Sequence, residues 1–78
     1  MDLPEFAIGT EECIEILGGN TVWIEGAKGI HTYETEEIKI RMNQYLLILQ
    51  GEDLKLSHFG DGALRIIGRL RGVCWEVE

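Results

Sequence analysis

Apolar and polar residues alternate along most of this chain, and the alternation limits its fold more than any other feature. In residues 37–42, EIKIRM, every second residue is apolar, and in DLKLSH, residues 53–58, Leu54 and Leu56 alternate with Asp53, Lys55 and Ser57. A period of two is typical of a β-strand with one buried and one exposed face. Weaker alternation recurs at Ile14 and Ile16, Val22 and Ile24, Leu64 and Ile66, and Val73, Trp75 and Val77. The sequence therefore predicts an all-β chain of about seven or eight short strands.

Turn-forming segments separate these strands. Residues 18–20 (GGN), 42–44 (MNQ) and 60–62 (GDG) are predicted hairpin turns, and residues 34–36 are predicted to turn into a strand. Because the connections are short, sequential strands are expected to pair antiparallel as a meander. The 78 residues are enough for one small domain, expected to span residues 1–78. A barrel, a roll and a two-layer sandwich all fit this pattern.

Glycines recur where strands should end. Gly26, Gly51 and Gly68 each lie two positions after an apolar strand residue, namely Ile24, Leu49 and Ile66. Glycine permits a positive φ angle or a β-bulge. We interpret these three positions, together with Gly29, as structural corners at which strands bend. Gly72 is predicted to mark a further bulge.

Residues 26–29, Gly-Ala-Lys-Gly, have the spelling of a loop that binds phosphate or nucleic acid. A Walker-type loop ends in Lys-Ser or Lys-Thr and opens a helix, and a KH-type GXXG clamp joins two helices on a basic surface. Here strands flank the loop, and the chain carries a net charge of −7, which repels phosphate. We therefore expect a turn without nucleic-acid binding, in which Lys28 pairs with a nearby carboxylate.

Charge is distributed unevenly along the chain. Lys28 is the only base up to residue 37, whereas bases slightly outnumber acids in the remainder. This asymmetry fits either cross-strand ion pairs within one sheet or head-to-tail contacts between subunits. The late arginines either pair with early glutamates or form a basic patch for an acidic partner. These arginines are Arg65, Arg69 and Arg71, and the glutamates are Glu12, Glu15 and Glu25.

One segment, YLLIL at residues 45–49, is apolar on both faces. It is either the central strand of a barrel or sandwich or part of an interface between subunits. Trp23 alternates with apolar residues and is expected to face outward, where an indole favours contact with another protein. Small domain size adds to the expectation of a homo-oligomer. The candidate interaction surface comprises Trp23, Tyr45, Leu46, Ile48, Arg65, Arg69 and Arg71.

The sequence contains no recognisable catalytic motif. His31 and His58 lack a serine, cysteine or acid at a diagnostic spacing. Cys13 and Cys74 lack Cys-x-x-Cys spacing and are expected to be reduced and buried. We expect neither an enzyme nor a cofactor. The alternative hypothesis is a ligand- or metal-binding β domain that uses His31 and His58 with a cysteine.

Cellular location follows from what the sequence lacks. No apolar run approaches the roughly 20 residues that a membrane-spanning helix needs. The start, MDLPEFAIG, has acids where a signal peptide needs bases. The expectation is a cytoplasmic protein that does not insert directly into a membrane.

Short motifs occur in order along nearly the whole chain. They are Asp2-Leu3-Pro4, Val22-Trp23-Ile24-Glu25, Gly29-Ile30 with Tyr33, Ile38 and Ile40, residues 49–54 (LQGEDL) and residues 66–70 (IIGRL). In these motifs the chain resembles the YabP/YqfC family of small sporulation proteins, more closely its YqfC-like members. The signature glycines of that family map onto Gly29, Gly51 and Gly68.

The resemblance implies a protein made during endospore formation. It implies action in the mother cell near the outer membrane of the forespore, with a membrane-embedded sporulation protein as partner. No enzymatic activity, cofactor or catalytic residue is attached to the family. The function expected on this basis is a small, self-associating all-β interaction module that docks on that partner.

Overall fold

The computed structural model describes residues 12–77 of the chain, and the Asp2-Leu3-Pro4 motif lies outside them. The all-β prediction is confirmed, since these residues form strands and no helix. The part of the chain described here therefore has no helix long and apolar enough to cross a membrane. The strands are β1 (Cys13–Leu17), β2 (Thr21–Glu25), β3 (Gly29–Tyr33), β4 (Glu37–Arg41), β5 (Tyr45–Gly60) and β6 (Ala63–Val77).

All six strands belong to one sheet in the order β1-β2-β6-β5-β4-β3, and every neighbouring pair is antiparallel. The predicted turns at residues 18–20, 42–44 and 60–62 connect β1 to β2, β4 to β5 and β5 to β6. Sequential strands are neighbours with one exception, because β2 pairs with β6 and not with β3. The predicted meander is therefore interrupted once, at the link formed by residues 26–28.

The long hairpin of β5 and β6 has different strands beside its two ends. Next to the hairpin turn, β1 and β2 join residues 63–67 of β6 and 55–60 of β5. We name this part the β1–β2 half. At the other end, β3 and β4 join residues 46–50 of β5 and 72–77 of β6, which form the β3–β4 half. Residues 46–50 thus lie between β4 and β6, in an interior position of the sheet.

Buried side chains from both halves meet in a single hydrophobic cluster. The β1–β2 half contributes Val22, Ile24, Leu64 and Ile66, the β3–β4 half contributes Ile38, Ile40, Leu47 and Leu49, and Met42 and Leu54 complete the cluster. A flat sheet cannot bring its two ends into contact, so this sheet folds over on itself. Each fully buried Leu or Ile contributes roughly 1.5–3 kcal/mol to folding. β1 and β3 do not pair within the described chain, so the fold is an open roll and not a closed barrel.

The structure has six strands where the sequence predicts seven or eight. Two predicted strand pairs merge, because β5 and β6 each continue through a place where the sequence indicates an end. The pairing register shifts between Gln50 and Gly51 and again between Glu52 and Lys55. A bulge absorbs an extra residue and bends the strand without ending the ladder of hydrogen bonds. The glycines and charges in this region therefore bend one strand and do not separate two.

The predicted burial of the cysteines is wrong for one thiol and only partly right for the other. Both are free, Cys13 is half-buried and Cys74 is exposed. Cys74 lies opposite Ile48, on the face of the sheet that points away from the core. In that position the strand alternation exposes the thiol.

Candidate interaction surfaces

A row of polar and aromatic side chains crosses the outer face of the β1–β2 half. Trp23 lies between buried positions of β2 and faces outward, half-buried. It is directly opposite Glu15 of β1 on one side and Arg65 of β6 on the other, and Arg65 is opposite His58 of β5. We name these four residues the Trp23 row. Residues opposite one another in an antiparallel sheet share a face, so the row forms one continuous surface.

Side-chain contacts fix the orientation of the Trp23 row. The rings of Trp23 and His58 stack with centroids 5.6 Å apart and an interplanar angle of 26°. The indole Nε1–H of Trp23 donates a hydrogen bond of 2.8 Å to Oε2 of Glu25. Nε–H of Arg65 donates one of 2.9 Å to the hydroxyl oxygen of Ser57. Because these side chains are already held in place, they would lose little conformational entropy when a partner binds.

The other two predicted arginines lie elsewhere. Nη1 of Arg69 is 3.4 Å from Oε1 of Glu52, and Nη1 of Arg71 is 3.7 Å from Oε2 of the same residue. The hypothesis that the arginines pair with the early glutamates is therefore wrong for the described residues, because the bend of the hairpin brings Glu52 to both. Ion pairs this exposed contribute about 0–1 kcal/mol. Arg65 belongs to the Trp23 row, so the three arginines do not form one patch.

The two outward apolar residues of residues 45–49 are partly covered by their neighbours. Leu46 lies between Arg41 and Glu76 on the flanking strands, and Ile48 lies between Lys39 and Cys74. Both are half-buried. The long aliphatic parts of lysine and arginine side chains cover apolar neighbours of this kind. Leu46 and Ile48 thus form a second outward surface, on the β3–β4 half and separate from the Trp23 row.

Tyr45 lies on the core side of the sheet and packs against the hydrophobic cluster. Burial raises the pKa of its phenol, and the negative charge of Glu12 and the hydrogen bond that the phenol donates to it raise the pKa further. The same carboxylate accepts a 2.7 Å hydrogen bond from the backbone N–H of Asn43. Tyr45 therefore joins the chain before β1 to the β4–β5 turn, and it does not share the outer surface of Leu46 and Ile48.

The most exposed apolar residues of the β3–β4 half were not singled out by sequence reasoning. Trp75 is 63% exposed and Val77 is 72% exposed. They pair with Leu47 and Tyr45, so they lie on the core-facing side of the sheet, beyond the part that the β1–β2 half covers. Alternation of Val73, Trp75 and Val77 was the available signal. It indicates a shared face, but not which strands cover that face.

The predicted corner glycines differ in their surroundings. A Cβ atom at Gly51 would overlap the carbonyl oxygen of Arg69. Gly68 has φ +141°, and a Cβ atom there would lie 2.6 Å from the carbonyl oxygen of Asp53. Gly26 has φ +90°. Gly29 opens β3 and has open space around its Cα, so nothing in the geometry requires glycine there.

The loop of residues 26–29 connects the two halves of the sheet. Backbone N–H groups of Gly26 and Lys28 donate to the carbonyl oxygens of Gly62, at 2.9 Å, and Arg41, at 2.7 Å. Among residues 12–77, Lys28 has no carboxylate within ion-pair distance, so the predicted pairing is not found there. The loop acts as a connection whose backbone is anchored at both ends.

The histidines and cysteines lie apart. His31 is on β3, where its Nδ1 is 2.7 Å from the hydroxyl oxygen of Thr32, and His58 stacks on Trp23 in the other half. No group of three His, Cys, Asp or Glu side chains within the described range could hold a metal ion. In this range no polar or charged residue is buried.

An acidic cleft of about 530 Å³ lies between the β3–β4 turn and the bend of the hairpin. Its carboxylates are exposed or half-buried. One of them, Glu52, is already bound to Arg69 and Arg71. Its lining residues are Glu34, Glu36, Glu37, Gln50, Gly51, Glu52 and Arg71.

Comparisons with known proteins identify the family. The model of the YabP family matches residues 9–77, which is nearly the whole chain and includes every described strand. Searches of curated proteins and of solved structures returned no match. A match of this length agrees with the resemblance that the short motifs indicate and shows that the chain belongs to the YabP family.

Proposed function

We propose that this protein is a non-enzymatic sporulation protein, a small self-associating all-β module that docks on a membrane-embedded partner at the forespore envelope in the mother cell. The observation that carries the proposal is the YabP-family match over residues 9–77, which is consistent with a role in sporulation. Docking at the membrane and location in the mother cell go beyond that match and are part of the proposal.

The described surface supports binding and offers no support for catalysis. None of the described titratable side chains is fully buried, and burial is one of the main means by which proteins tune an acid or base for catalysis. The outer face instead carries the Trp23 row, in which the indole stacks on the ring of His58 and Trp23 lies directly opposite Arg65. Tryptophan and arginine are the residues that most often dominate protein interfaces.

We assign the partner contact to the Trp23 row. Its cation is Arg65, whereas Glu15 and Glu25 flank the indole. A partner loop with an apolar or aromatic side chain against Trp23 and a carboxylate against Arg65 would complement this pattern.

Affinity capture from sporulating cells of the source organism tests the proposal. The wild-type chain, an Arg65→Ala variant and a Lys28→Ala control would each be used as bait, followed by mass measurement of the intact complex. Lys28→Ala also removes one exposed cation, but from the loop outside the row. We expect wild type and control to retain one membrane protein, and Arg65→Ala to lose it. Failure of all three to retain a membrane protein would refute the proposal, and equal capture by all three would refute the assignment to the Trp23 row.

A further inference from the structure

The open roll leaves four strand edges without a partner in residues 12–77, and three of them are protected. β1 is only five residues long and carries Glu15 at its centre. β3 is equally short and contains a register shift between Ile30 and Thr32. Short edge strands, charges and bulges prevent a second sheet from pairing with an edge.

The third protected edge is formed by residues 55–60 of β5. Lys55 and His58 lie on it, and the register shifts between Leu56 and His58. The backbone N–H of Leu56 is already used, because it donates a 3.0 Å hydrogen bond to the phenol oxygen of Tyr33. This edge therefore combines a charge, a bulge and a satisfied donor.

The fourth edge, residues 72–77 of β6, has the fewest of these protective features. Its pairing with β5 runs without a register shift from Gly72 to Val77. It has no lysine and no proline, and Glu76 is its single charged residue. Along the rest of β6, β2 pairs with residues 63–67, and the β1–β2 turn accepts the N–H groups of Gly68 and Leu70. Beyond that turn the edge is regular and, among the described residues, uncovered.

Apolar side chains on this edge continue the core. Val73, Trp75 and Val77 lie opposite Leu49, Leu47 and Tyr45 on the core-facing side. Val73 packs against the hydrophobic cluster, but Trp75 and Val77 are 63% and 72% exposed. Hydrophobic exposure on a regular edge strand favours the addition of another strand.

We propose that residues 72–77 are the self-association surface of this protein, where β6 of a second copy pairs antiparallel across a two-fold axis at Trp75. The inference deepens the self-association in the proposed function and rests on it. Residues opposite each other must share a face of the joined sheet. In the register centred on Trp75, the two Trp75 side chains face each other, and Val73 of each copy faces Val77 of the other.

Charge also favours the register centred on Trp75 and a second copy of the chain as the occupant of the strip. With Trp75 at the centre, Glu76 faces Cys74 of the second copy, so the two Glu76 carboxylates do not lie opposite each other. A register centred on Glu76 would place two carboxylates together, and one centred on Cys74 would place Val77 against Arg71 of the second copy. Each chain carries a net charge of −7, so two copies repel at long range, and contact through a nearly neutral strip adds least to that repulsion. Residues 72–77 form such a strip.

Sedimentation velocity over a range of concentrations tests this surface on the full chain, with a matched pair of variants. Trp75→Lys places a charge in the strip, whereas Phe59→Lys makes the same kind of change at a side chain of similar exposure, 67%, on the protected edge of β5. We expect a wild-type dimer, a dissociation constant raised at least about 30-fold by Trp75→Lys, and little change with Phe59→Lys. Circular dichroism would verify that both variants fold. We expect them to, because both replaced side chains are largely exposed.

Chemical cross-linking supplies an independent measurement. In the Trp75 register the two Cys74 thiols are diagonal neighbours, about 7–8 Å apart. A Cys13→Ser chain treated with a short bis-maleimide should give a covalent dimer, and a Cys74→Ser chain should not.

Several outcomes would overturn the inference. One is a wild-type chain that stays monomeric at several hundred micromolar, and another is a dimer that Phe59→Lys weakens as much as Trp75→Lys does. A monomer with slowly exchanging amides at residues 73–77 would show that the same chain covers the edge. Capture of a foreign protein on this strip in place of a second copy would also refute it. None of these outcomes would remove the membrane-partner capture expected from the proposed function.

Discussion

Gly51 of β5 lies against the main chain of Arg69, and Gly68 of β6 lies against the main chain of Asp53 and Leu54. At the bend of the hairpin each strand thus places a residue without a side chain against the main chain of the other. Asp53, whose carbonyl oxygen lies against Gly68, has φ +54°. A backbone that bends this sharply depends on these residue types, because a Cβ atom or a negative φ angle would force the strands apart.

Gly51→Ala should destabilise the fold by about 3 kcal/mol, because the added methyl group overlaps backbone that cannot rotate away. Gly72→Ala is the matched control in the same hairpin. Its Cβ atom would meet only the side-chain oxygen of Gln50, at 3.5 Å, which is ordinary contact. Urea unfolding at one fixed protein concentration measures both. Equal stability of Gly51→Ala and wild type would show that the hairpin bends without needing glycine at this point.

Ionisation of Tyr45 should lower the stability of the folded protein as the pH rises into the alkaline range. Its pKa in the folded chain is raised above the ordinary 10.0 by burial, by the charge of Glu12 and by the hydrogen bond to it. As the pH rises past 10.0 the unfolded chain releases the phenol proton while the folded chain keeps it. The unfolded state then binds fewer protons, so the free energy of unfolding falls as the pH rises through this window.

Tyr45→Phe should remove this contribution. We expect the variant to lose less stability than wild type between about pH 9.5 and 11. Tyr33→Phe retains the Tyr45 phenol and should retain the steeper loss. Thermal unfolding followed by circular dichroism across this range measures the difference. Parallel curves for wild type and Tyr45→Phe would contradict the assignment.

Alternation predicted the strands of this protein correctly because each face of a short strand has one environment. It predicts the outward position of Trp23 between two apolar positions, and it places the core residues of β2 and β4 on one side. Strand ends were harder to predict. Gly51, Glu52 and Asp53 carry the signals of a loop, yet two bulges let β5 continue through them. The difference between a bulge and an end depends on whether a partner strand continues alongside, and a single strand's sequence does not contain that information.

The same limit explains why part of the candidate surface was missed. Trp23 and Trp75 both occur in segments of alternating residues. Trp23 faces away from the core, whereas Trp75 lies on the core-facing side of the sheet, beyond the part that the β1–β2 half covers. The exposure of Trp75 depends on β1 and β2 joining only the first part of β6, which is a property of pairing between distant segments. Likewise, the pairing of Arg69 and Arg71 with Glu52 depends on the bend and not on spacing.

At the scale of the whole molecule, one bent hairpin organises both the core and the edges. Folding the sheet over brings the inner faces of both halves into one hydrophobic cluster, and it leaves the outer faces and the edges for contact with other molecules. The Trp23 row lies on the outer face of the β1–β2 half, whereas residues 72–77 form an edge of the β3–β4 half. A dimer formed through that edge would therefore keep two Trp23 rows free. Two-fold symmetry would then let one dimer bind two copies of a partner, which strengthens attachment to a membrane that displays several.

Salt should strengthen the proposed dimer. Each copy carries a net charge of −7, so association brings together two bodies of like charge, while the strip that joins them contains only Glu76. Raising the ionic strength from 0.01 to 0.1 M shortens the screening length from about 30 to about 10 Å and weakens this repulsion. We expect the dissociation constant from sedimentation to fall about tenfold over this range.

Two glutamine variants separate the local from the long-range part of this effect. Glu76→Gln should tighten the dimer most at low salt, because it removes the charge nearest the two-fold axis. Glu15→Gln makes the same change in net charge on the distant β1 edge and should give only the smaller, long-range gain. A dimer that weakens as salt is added would instead be held by ion pairs between the acidic early strands of one copy and the basic later strands of another. Its subunits would then meet head to tail and not through β6.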